Sequence, residues 1–389
     1  MKKSFIISFI LLNLFIPLSK SDKIEEIIRS VDENSLYNYV KVIQNFGEHP
    51  TGSEACYKVG EYIFNEFEKI GLETEYFEWE NKGYKGKNIV ATIKGRKDSC
   101  IILSAHFDSY YNSPGADDDA TGIACLLIAG KIFSKYDFEN TIKLVAFSGE
   151  EQGMLGSQEY VKYLYKNGED IIANINIDTV GYGDGDMVRV LTDEASLWIT
   201  DFAEEVGKEY NLISMYRHGN FPAGDHQSFI KYGYEAVFFV EYNFNPNIHS
   251  PNDTIEFINK SYLAEVCKLV LATTAKIADT NLFRIRFEEP KIGYIYLDDR
   301  KIFTLNKPYS IIIGKVYALV KEIGNEKIER IEFYLDGKLR GFSYNEPYEY
   351  VYKDIAFFKH EIKAVAISRN KDICRLDLFI FNFLPSKPH

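Results

Sequence analysis

The sequence predicts an α/β domain with a mainly parallel central sheet sandwiched by helices, followed by a small all-β sandwich domain. Two observations lead to this prediction. Up to residue 283, short apolar runs typical of buried strands alternate with longer segments of helical periodicity. From residue 284 onwards, short strand-like runs follow one another, separated by turns such as Asp336-Gly337, and helical periodicity is absent. We therefore assign residues 22–283 to the first domain and residues 284–389 to the second.

The composition is that of a globular protein. With 389 residues, of which 46% are hydrophobic, the chain is long enough to bury a large core and to form two domains. Its net charge of −12 and its lack of a basic stripe argue against a nucleic-acid partner, because phosphate binding depends on clustered Lys and Arg side chains. The five cysteines are widely scattered without C-x-x-C spacing, which predicts neither a disulfide framework nor a structural zinc site.

The N-terminus is typical of a secretory signal peptide, which we assign to residues 1–21. Two lysines precede an apolar run over residues 5–18, and the small residues Ser19 and Ser21 follow it. We therefore expect a secreted, periplasmic or cell-surface protein with no stable membrane span once the signal is removed. An uncleaved membrane anchor is the alternative, although the apolar run is short for a membrane span.

The elements of the first domain follow from periodicity and end signals. Helical periodicity extends from residue 23 to about residue 46, and residues 53–71 form an amphipathic segment with Ser53 as N-cap and Gly71 as C-cap. The apolar run 101–103 is typical of a buried parallel strand. Further strands are predicted at 73–80, 88–93, 141–147, 171–177, 188–191 and 236–240, and further helices at 123–134, 156–165, 196–210 and 261–278.

The second domain is predicted to be all-β. Its strand-like runs lie at 293–297, 309–319, 328–335, 348–352, 360–367 and 376–383. Short strands at this spacing, with turns between them, are typical of a small sandwich of two sheets.

Ligand-type residues recur where the strands of the first domain are predicted to end. They are His106, Asp108, the aspartates 117–119, Glu150, Glu151, Asp178 and His249. The carboxyl ends of parallel strands meet at one edge of a sheet, where α/β proteins bind their ligands. Carboxylates packed beside an imidazole repel one another unless a cation holds them, so we predict a metal site. Two histidines with several carboxylates suit zinc best, and cobalt or manganese next.

These candidates exceed what one tetrahedral ion needs, and a carboxylate shared between two ions would let them serve a pair. Paired ions activate water and polarise a carbonyl group, and the reaction also needs a general base that is not a ligand. The adjacent Glu150 and Glu151 can supply one base and one ligand. Asp108, two residues after His106, is positioned to accept a hydrogen bond from the imidazole. Asp119 also suits the N-terminus of the following helix, where the dipole favours an acid.

Five motifs in this order give the chain a family resemblance. They are HFD at 106–108, PGADDDATG at 114–122, GEEQGMLGS at 149–157, NIDTVGY at 176–182 and IHSPNDT at 248–254. The ordered set resembles the di-zinc aminopeptidases of the bacterial leucyl type, and aminopeptidase Y and the glutaminyl cyclases belong to the same superfamily. The resemblance covers roughly residues 22–282 and implies a fold of the zinc-exopeptidase type.

Carried over position by position, the resemblance implies a role for each site residue. His106 and Asp178 bind one zinc ion, Glu151 and His249 bind a second, Asp118 bridges both, Glu150 is the general base, and Asp108 orients His106. It also implies a cis peptide bond after Asp118 and places Asp225 and His226 at the substrate cleft.

One departure from the family concerns the position before the last histidine. One branch of the family has a tyrosine before the last histidine that stabilises the oxyanion, and this chain has Ile248 there. Tyr242, His226 or the zinc ions alone would have to stabilise the oxyanion instead.

The C-terminal domain shows a resemblance of its own. The segment from about residue 331 to residue 372 resembles immunoglobulin-like domains of secreted bacterial enzymes.

The sequence thus predicts a secreted aminopeptidase with two zinc ions per chain, acting on peptides with a free N-terminus. Contact with a surface or polymer through the C-terminal domain is a further expectation. A single-zinc acyltransferase of the glutaminyl cyclase type, a non-catalytic surface-binding protein and a carboxypeptidase are the alternatives.

Overall fold

A computed structural model of the chain describes residues 20–183, 187–219, 222–305, 307–323, 327–368 and 372–382. The predicted signal segment 1–21 lies almost entirely outside these residues. Within them, no helix is both long enough and apolar enough to span a membrane.

The first domain alternates helices and strands along the chain, as predicted. Its helices are α1 Lys20–Arg29, α2 Glu33–Gln44, α3 Glu54–Ile70, α4 Ala120–Phe133, α5 Leu155–Asn167, α6 Leu197–Glu209, α7 His226–Ile230 and α8 Lys260–Ala278. Its strands are β1 Glu73–Asn81, β2 Tyr84–Ile93, β3 Lys97–His106, β4 Asn140–Phe147, β5 Ile171–Ile177, β6 Met187–Thr192, β7 Ser214–Gly219 and β8 Ala236–Glu241.

Local end signals explain where several helices start and stop. Ser53 accepts a hydrogen bond from the amide of Cys56, and Gly71 adopts a left-handed conformation with φ of 87°, so both predicted caps of α3 are confirmed. The helical region predicted over residues 23–46 is confirmed except for residues 30–32, which interrupt it. It is two helices, because Asp32 adopts an extended conformation and caps α2 through the amide of Ser35.

The eight strands form one sheet in the order β1-β2-β4-β3-β5-β8-β6-β7. The neighbours β4–β3, β3–β5, β5–β8 and β6–β7 are parallel, whereas β1–β2, β2–β4 and β8–β6 are antiparallel. The mainly parallel sheet is therefore confirmed. The four strands β4, β3, β5 and β8 run side by side in the same direction, so their carboxyl ends meet at one edge.

Both faces of the central strands are buried, which explains their continuous apolar sequences. Ile101 and Leu103 of β3 pack into the core that contains α2, α3, α4 and α8. Cys100 and Ile102, which point to the opposite face, pack into a second core with residues of α5. Side chains alternate between the faces of a strand, so a strand buried on both faces shows no polar alternation.

The second domain is all-β, as predicted. Its strands are β9 Arg284–Glu289, β10 Tyr294–Leu297, β11 Arg300–Thr304, β12 Ser310–Ile313, β13 Val316–Ile323, β14 Arg330–Leu335, β15 Lys338–Ser343, β16 Tyr348–Tyr352, β17 Ala356–Ile367 and β18 Asp372–Asn382. They form a seven-stranded sheet, β11-β10-β12-β18-β17-β14-β15, and a three-stranded sheet, β16-β13-β9. The boundary at residue 284 and the immunoglobulin-like assignment stay predictions.

The β domain packs against the first domain through a shared core. Apolar residues of α5 and β5 and of the β domain belong to one buried cluster. At its edge the guanidinium of Arg284 donates hydrogen bonds to the carbonyl of Ile171 at 3.1 Å and to the carboxylate of Asp170 at 3.2 Å. The amide of Ile292 donates to the hydroxyl of Tyr165 at 2.8 Å. The β domain therefore contributes to the core that covers one face of the central sheet.

Candidate metal centre

The five predicted metal ligands come together at the carboxyl edge of the sheet. His106 ends β3, Asp178 follows β5, Glu151 follows β4, and Asp118 and His249 lie on loops above the same edge. Ligand-type atoms form two groups, and within each group they lie within 4.8 Å of one another. One contains His106 and Asp178 together with Asp119, which was not a predicted ligand, and the other contains Asp118, Glu151 and His249.

The carboxylate of Asp118 links these two groups. Its Oδ1 lies 3.0 Å from Nε2 of His106, and its Oδ2 lies 3.0 Å from Nε2 of His249. Nε2 of His106 is also 3.7 Å from Oδ1 of Asp178, and Nε2 of His249 is 3.4 Å from Oε2 of Glu151. One carboxylate thus faces two imidazoles, each of which has a second carboxylate beside it.

Asp119 caps the helix that follows the loop. Its Oδ1 accepts hydrogen bonds from the amides of Gly122 and Thr179, and its Oδ2 accepts one from the amide of His106. Because both oxygens already accept backbone hydrogen bonds, Asp119 holds the loop in place while Asp118 faces the histidines. The Asp118–Asp119 peptide bond is cis, as the resemblance implied.

Charge crowding in this site has a clear effect on its carboxyl groups. Burial raises the pKa of Asp119 well above its usual range, and burial together with the Asp118 charge raises the pKa of Glu151 to about 7. Hydrogen bonds to Asp118 and Glu151 raise the pKa of His249 to about 10. Burial alone would raise the pKa of Asp118, but hydrogen bonds from both histidines lower it.

The residues present fit divalent metal ions. Oε1 of Glu151 is buried and has no hydrogen-bond partner, which leaves an anionic oxygen available as a ligand. Buried carboxylates crowded together without a cation hold protons, whereas a divalent ion would keep them ionised. Imidazole nitrogen combined with carboxylate oxygen is the donor set that zinc accepts readily.

Asp108 contacts His106 in a way that differs from the prediction. Nδ1 of His106 lies 3.0 Å from the backbone oxygen of Asp108, while the Asp108 carboxylate is 3.8 Å away. The carboxylate instead accepts hydrogen bonds from the amides of Glu150 and Glu151, at 3.2 and 3.3 Å. The prediction that the Asp108 side chain orients His106 is therefore corrected. The Asp108 backbone orients the imidazole, and its side chain positions the two glutamates.

Glu150, the predicted general base, belongs to neither ligand group within the described residues. Burial raises its pKa well above the usual range, and the nearby charges of Asp225 and Asp178 act in the same direction, while His106 opposes them. A carboxyl group in this environment can hold a proton near neutral pH.

Asp225 and His226 are both buried beside the site. Burial raises the pKa of Asp225 to about 7 and lowers the pKa of His226 to about 3. The ring of His226 packs 5.1 Å from the ring of Phe238, and the ring of Tyr242 packs 5.6 Å from that of Tyr216. That Tyr242, His226 or the zinc ions alone stabilise an oxyanion stays a prediction.

A network that the sequence analysis missed holds the aspartate loop. Asp253 accepts hydrogen bonds from the amides of Asp117 and Asp118, at 2.9 and 3.2 Å. Asp117 in turn accepts from the side chain of Asn245 and from the amide of Gly181, both at 2.8 Å. Except for Asn245, these residues lie in the quoted motifs. The contacts of Asp117 with Asp253 and with Asn245 join positions more than 120 apart along the chain, which periodicity does not reveal.

Comparison with known proteins identifies the family. Residues 88–274 match the sequence profile of peptidase family M28. They form a peptidase family M28 domain. The family predicted from the ordered motifs is therefore confirmed, and the residues of the candidate metal centre at positions 106–249 all lie within this domain.

Among curated proteins, leucine aminopeptidase 1 of Sclerotinia sclerotiorum is 32% identical over 240 residues, which are 55% of this chain and 61% of that protein. The matched region thus spans about three fifths of the relative's length. Among solved structures, BSAP, a zinc aminopeptidase from Bacillus subtilis, has a TM-score of 0.60 at 16% identity and covers 64% of this chain and 98% of its own. Glutaminyl cyclase of Bacteroides thetaiotaomicron has a TM-score of 0.57 at 20% identity, covering 63% of this chain and 98% of its own. Both structural likenesses concern the fold.

Proposed function

We propose that this protein is a zinc-dependent aminopeptidase that removes N-terminal residues from peptides. The observation that carries the proposal is the Asp118 carboxylate, which lies 3.0 Å from Nε2 of both His106 and His249. A carboxylate shared between two histidines, each with its own second carboxylate, suits a pair of ions better than one. Membership in peptidase family M28 and the name of the curated relative support the reaction class.

Two zinc ions would be held by five side chains. His106 and Asp178 would bind one ion, Glu151 and His249 the other, and Asp118 both. When bound, the ions would lower the pKa of water towards neutrality and polarise the carbonyl of the first peptide bond.

Glu150 would act first as the general base and then as the general acid. Its carboxylate would accept a proton from the attacking water and then give it to the departing amine. The direction of its pKa fits this role, because burial lets the carboxyl hold a proton near neutral pH. Asp108 supports the role by accepting a hydrogen bond from the Glu150 amide, which positions the residue at the edge of the sheet.

The charge of the site explains a preference for chain ends. Glu150, Glu151, Asp178 and Asp225 place acidic groups around the candidate centre, where a protonated α-amine is attracted. An internal peptide bond carries no such charge. We therefore propose removal of N-terminal residues rather than cleavage within a chain.

The first experiment measures zinc per chain on the purified protein together with hydrolysis of a panel of aminoacyl-anilides. We expect two zinc ions per chain and hydrolysis that a chelator abolishes. Glu150→Gln is expected to keep both ions and to lose at least about 100-fold in kcat, as is usual for removal of a general base. Glu61→Gln, an exposed change, serves as the matched control. A Glu150→Gln variant with full activity would refute the assigned role.

Glutaminyl cyclase activity is a second candidate, because the likeness to the Bacteroides thetaiotaomicron enzyme is close in fold. Zinc analysis and the anilide assay distinguish aminopeptidase activity from glutaminyl cyclase activity. One zinc ion per chain, no anilide release and cyclisation of peptides with N-terminal glutamine would favour the cyclase.

We also propose that residues 1–21 direct secretion and that residues 22–283 and 284–389 form two domains. The two-lysine start and the apolar run 5–18 support secretion. N-terminal sequencing of exported protein would locate the cleavage site, and an intact N-terminus would refute cleavage. Contact of the C-terminal domain with a surface or polymer stays a prediction.

A further inference from the structure

The two histidines of the candidate centre are held very differently. His106 is 1% exposed, and its Nδ1 contacts the backbone oxygen of Asp108 at 3.0 Å. The His249 side chain is 48% exposed, and its Nδ1 has no protein hydrogen-bond partner among the described residues. Histidines that bind metals almost always donate the other ring nitrogen to a neighbouring acceptor, which holds the ring orientation. Any restraint that the protein places on the His249 ring therefore comes from a contact other than a hydrogen bond to Nδ1.

Tyr110 supplies a contact of the right geometry. Its ring stacks on the His249 imidazole with centroids 4.4 Å apart and planes 18° from parallel. The stacking leaves Nε2 of His249 directed at Asp118 and Glu151, 3.0 and 3.4 Å away. It covers one face of an imidazole that is otherwise exposed.

The loop that carries Tyr110 is itself anchored. The amide of Ser113 donates to the carbonyl of Tyr110 at 3.1 Å and closes a turn. The amide of Asn112 donates to the carboxylate of Glu48 at 2.7 Å, and the amide of Ser109 donates to the carbonyl of His49 at 3.3 Å. A ring on a loop held by these hydrogen bonds can restrain the His249 side chain on the neighbouring loop.

We propose that Tyr110 is a positioning residue that holds the His249 imidazole in its ligand orientation through ring stacking. This rests on the proposed metal centre. It means that the ion bound by Glu151 and His249 depends on Tyr110, whereas the ion bound by His106 and Asp178 does not. The sequence alone gave no signal for this role, because Tyr110 and His249 lie 139 positions apart.

Zinc release tests the proposal without any measurement of activity. The zinc-loaded protein is mixed with a chromogenic chelator, and the loss of each ion is followed over time. We expect Tyr110→Leu to release one of its two ions about tenfold faster than the wild type, a size typical of lost orienting contacts to a metal ligand. Tyr110→Phe keeps the ring without the hydroxyl and is expected to release both ions at the wild-type rate.

Tyr111 provides the matched control. It is 54% exposed, and its ring packs edge-on, 6.3 Å from that of Tyr110. Tyr111→Leu is expected to leave both release rates unchanged. Equal rates in the wild type and Tyr110→Leu would overturn the proposal, as would equal acceleration in Tyr110→Leu and Tyr110→Phe, because the ring face would then not be responsible.

A second measurement separates failure of this proposal from failure of the proposed function. In zinc-free protein, the His249 ring protons are expected to show an upfield ring-current shift in NMR spectra of the wild type and Tyr110→Phe. The shift is expected to disappear in Tyr110→Leu. A wild type that binds no zinc but shows this shift would refute the metal centre while leaving the stacking intact. A wild type that binds two ions without the shift would refute the positioning role alone.

Discussion

At the scale of single residues, Asp118 joins both halves of the candidate centre. Each of its oxygens faces a different imidazole at 3.0 Å, and the residue is only 6% exposed. Its neighbour Asp119, with the same side chain, accepts hydrogen bonds from three backbone amides and from the hydroxyl of Thr121. The two adjacent aspartates therefore have different contacts. The carboxylate of Asp118 faces the two imidazoles, whereas that of Asp119 faces the backbone of its own loop and of the strand ends beside it.

Asp118→Asn tests the shared role. An asparagine has the same shape but offers one neutral oxygen, so it cannot satisfy two cations at once. We expect zinc content to fall to one ion per chain or less and activity to fall at least about 100-fold, because ligand loss removes the charge that the reaction uses. Metal analysis after dialysis measures this, with the exposed Asp98→Asn as control. Two tightly held ions in Asp118→Asn would show that Asp118 does not bridge.

At the scale of elements, the site depends on loops held by carboxylates that bind no metal. Asp253 accepts hydrogen bonds from the amides of Asp117 and Asp118, and burial raises the pKa of Asp253 to about 7. An aspartate in an unfolded chain has a pKa of roughly 3.9. Between these values the folded protein keeps the Asp253 proton and the unfolded chain loses it. The contribution of this group to stability therefore decreases as the pH rises through that window.

Asp253→Asn is expected to remove this pH dependence in zinc-free protein. Each pH unit between the two pKa values corresponds to about 1.4 kcal/mol for a fully shifted group. The wild type should therefore lose unfolding free energy relative to Asp253→Asn as the pH rises from about 4 to about 7. Urea unfolding at several pH values measures the difference. A constant difference across this range would show that Asp253 has the same pKa in both states.

At the scale of the whole molecule, the two domains share one buried core. Arg284 lies at this junction, is 5% exposed, and donates to Ile171 and Asp170 of the first domain. Arg284 is the first residue of β9, and its hydrogen bonds attach the β domain to the start of β5 in the central sheet. We expect the two domains to unfold in one cooperative transition, because neither covers its part of the shared core alone.

Arg284→Met tests this coupling. The change keeps an unbranched side chain but removes the Arg284 donor from the Ile171 carbonyl and from the Asp170 carboxylate, which keeps Arg286 at 3.3 Å. We expect a loss of about 2–3 kcal/mol in unfolding free energy, at the low end for broken buried pairs because Asp170 is partly exposed. Denaturant unfolding followed by fluorescence measures it, and the exposed Arg300→Met is the control. Two separate transitions, with the first domain unaffected, would contradict the shared core.

Much of the molecule could be predicted from local patterns. The apolar runs that became β3, β4, β5 and β8 were recognisable because strands buried on both faces need continuous apolar residues. The caps Ser53 and Gly71 were visible because helix ends need particular residues. The break at Asp32 was not recognised, because apolar periodicity continues on both sides of it.

The sequence by itself determined the order of the elements, the residues able to bind metal and the edge of the sheet at which they gather. These follow from side-chain chemistry and from periods of two to four residues, which are local. Only the tertiary structure decided that β4 lies between β2 and β3, that the Asp108 side chain holds the two glutamates, and that Tyr110 stacks on His249. Each of these joins positions far apart in the chain, and such contacts depend on packing of the whole molecule rather than on any local pattern.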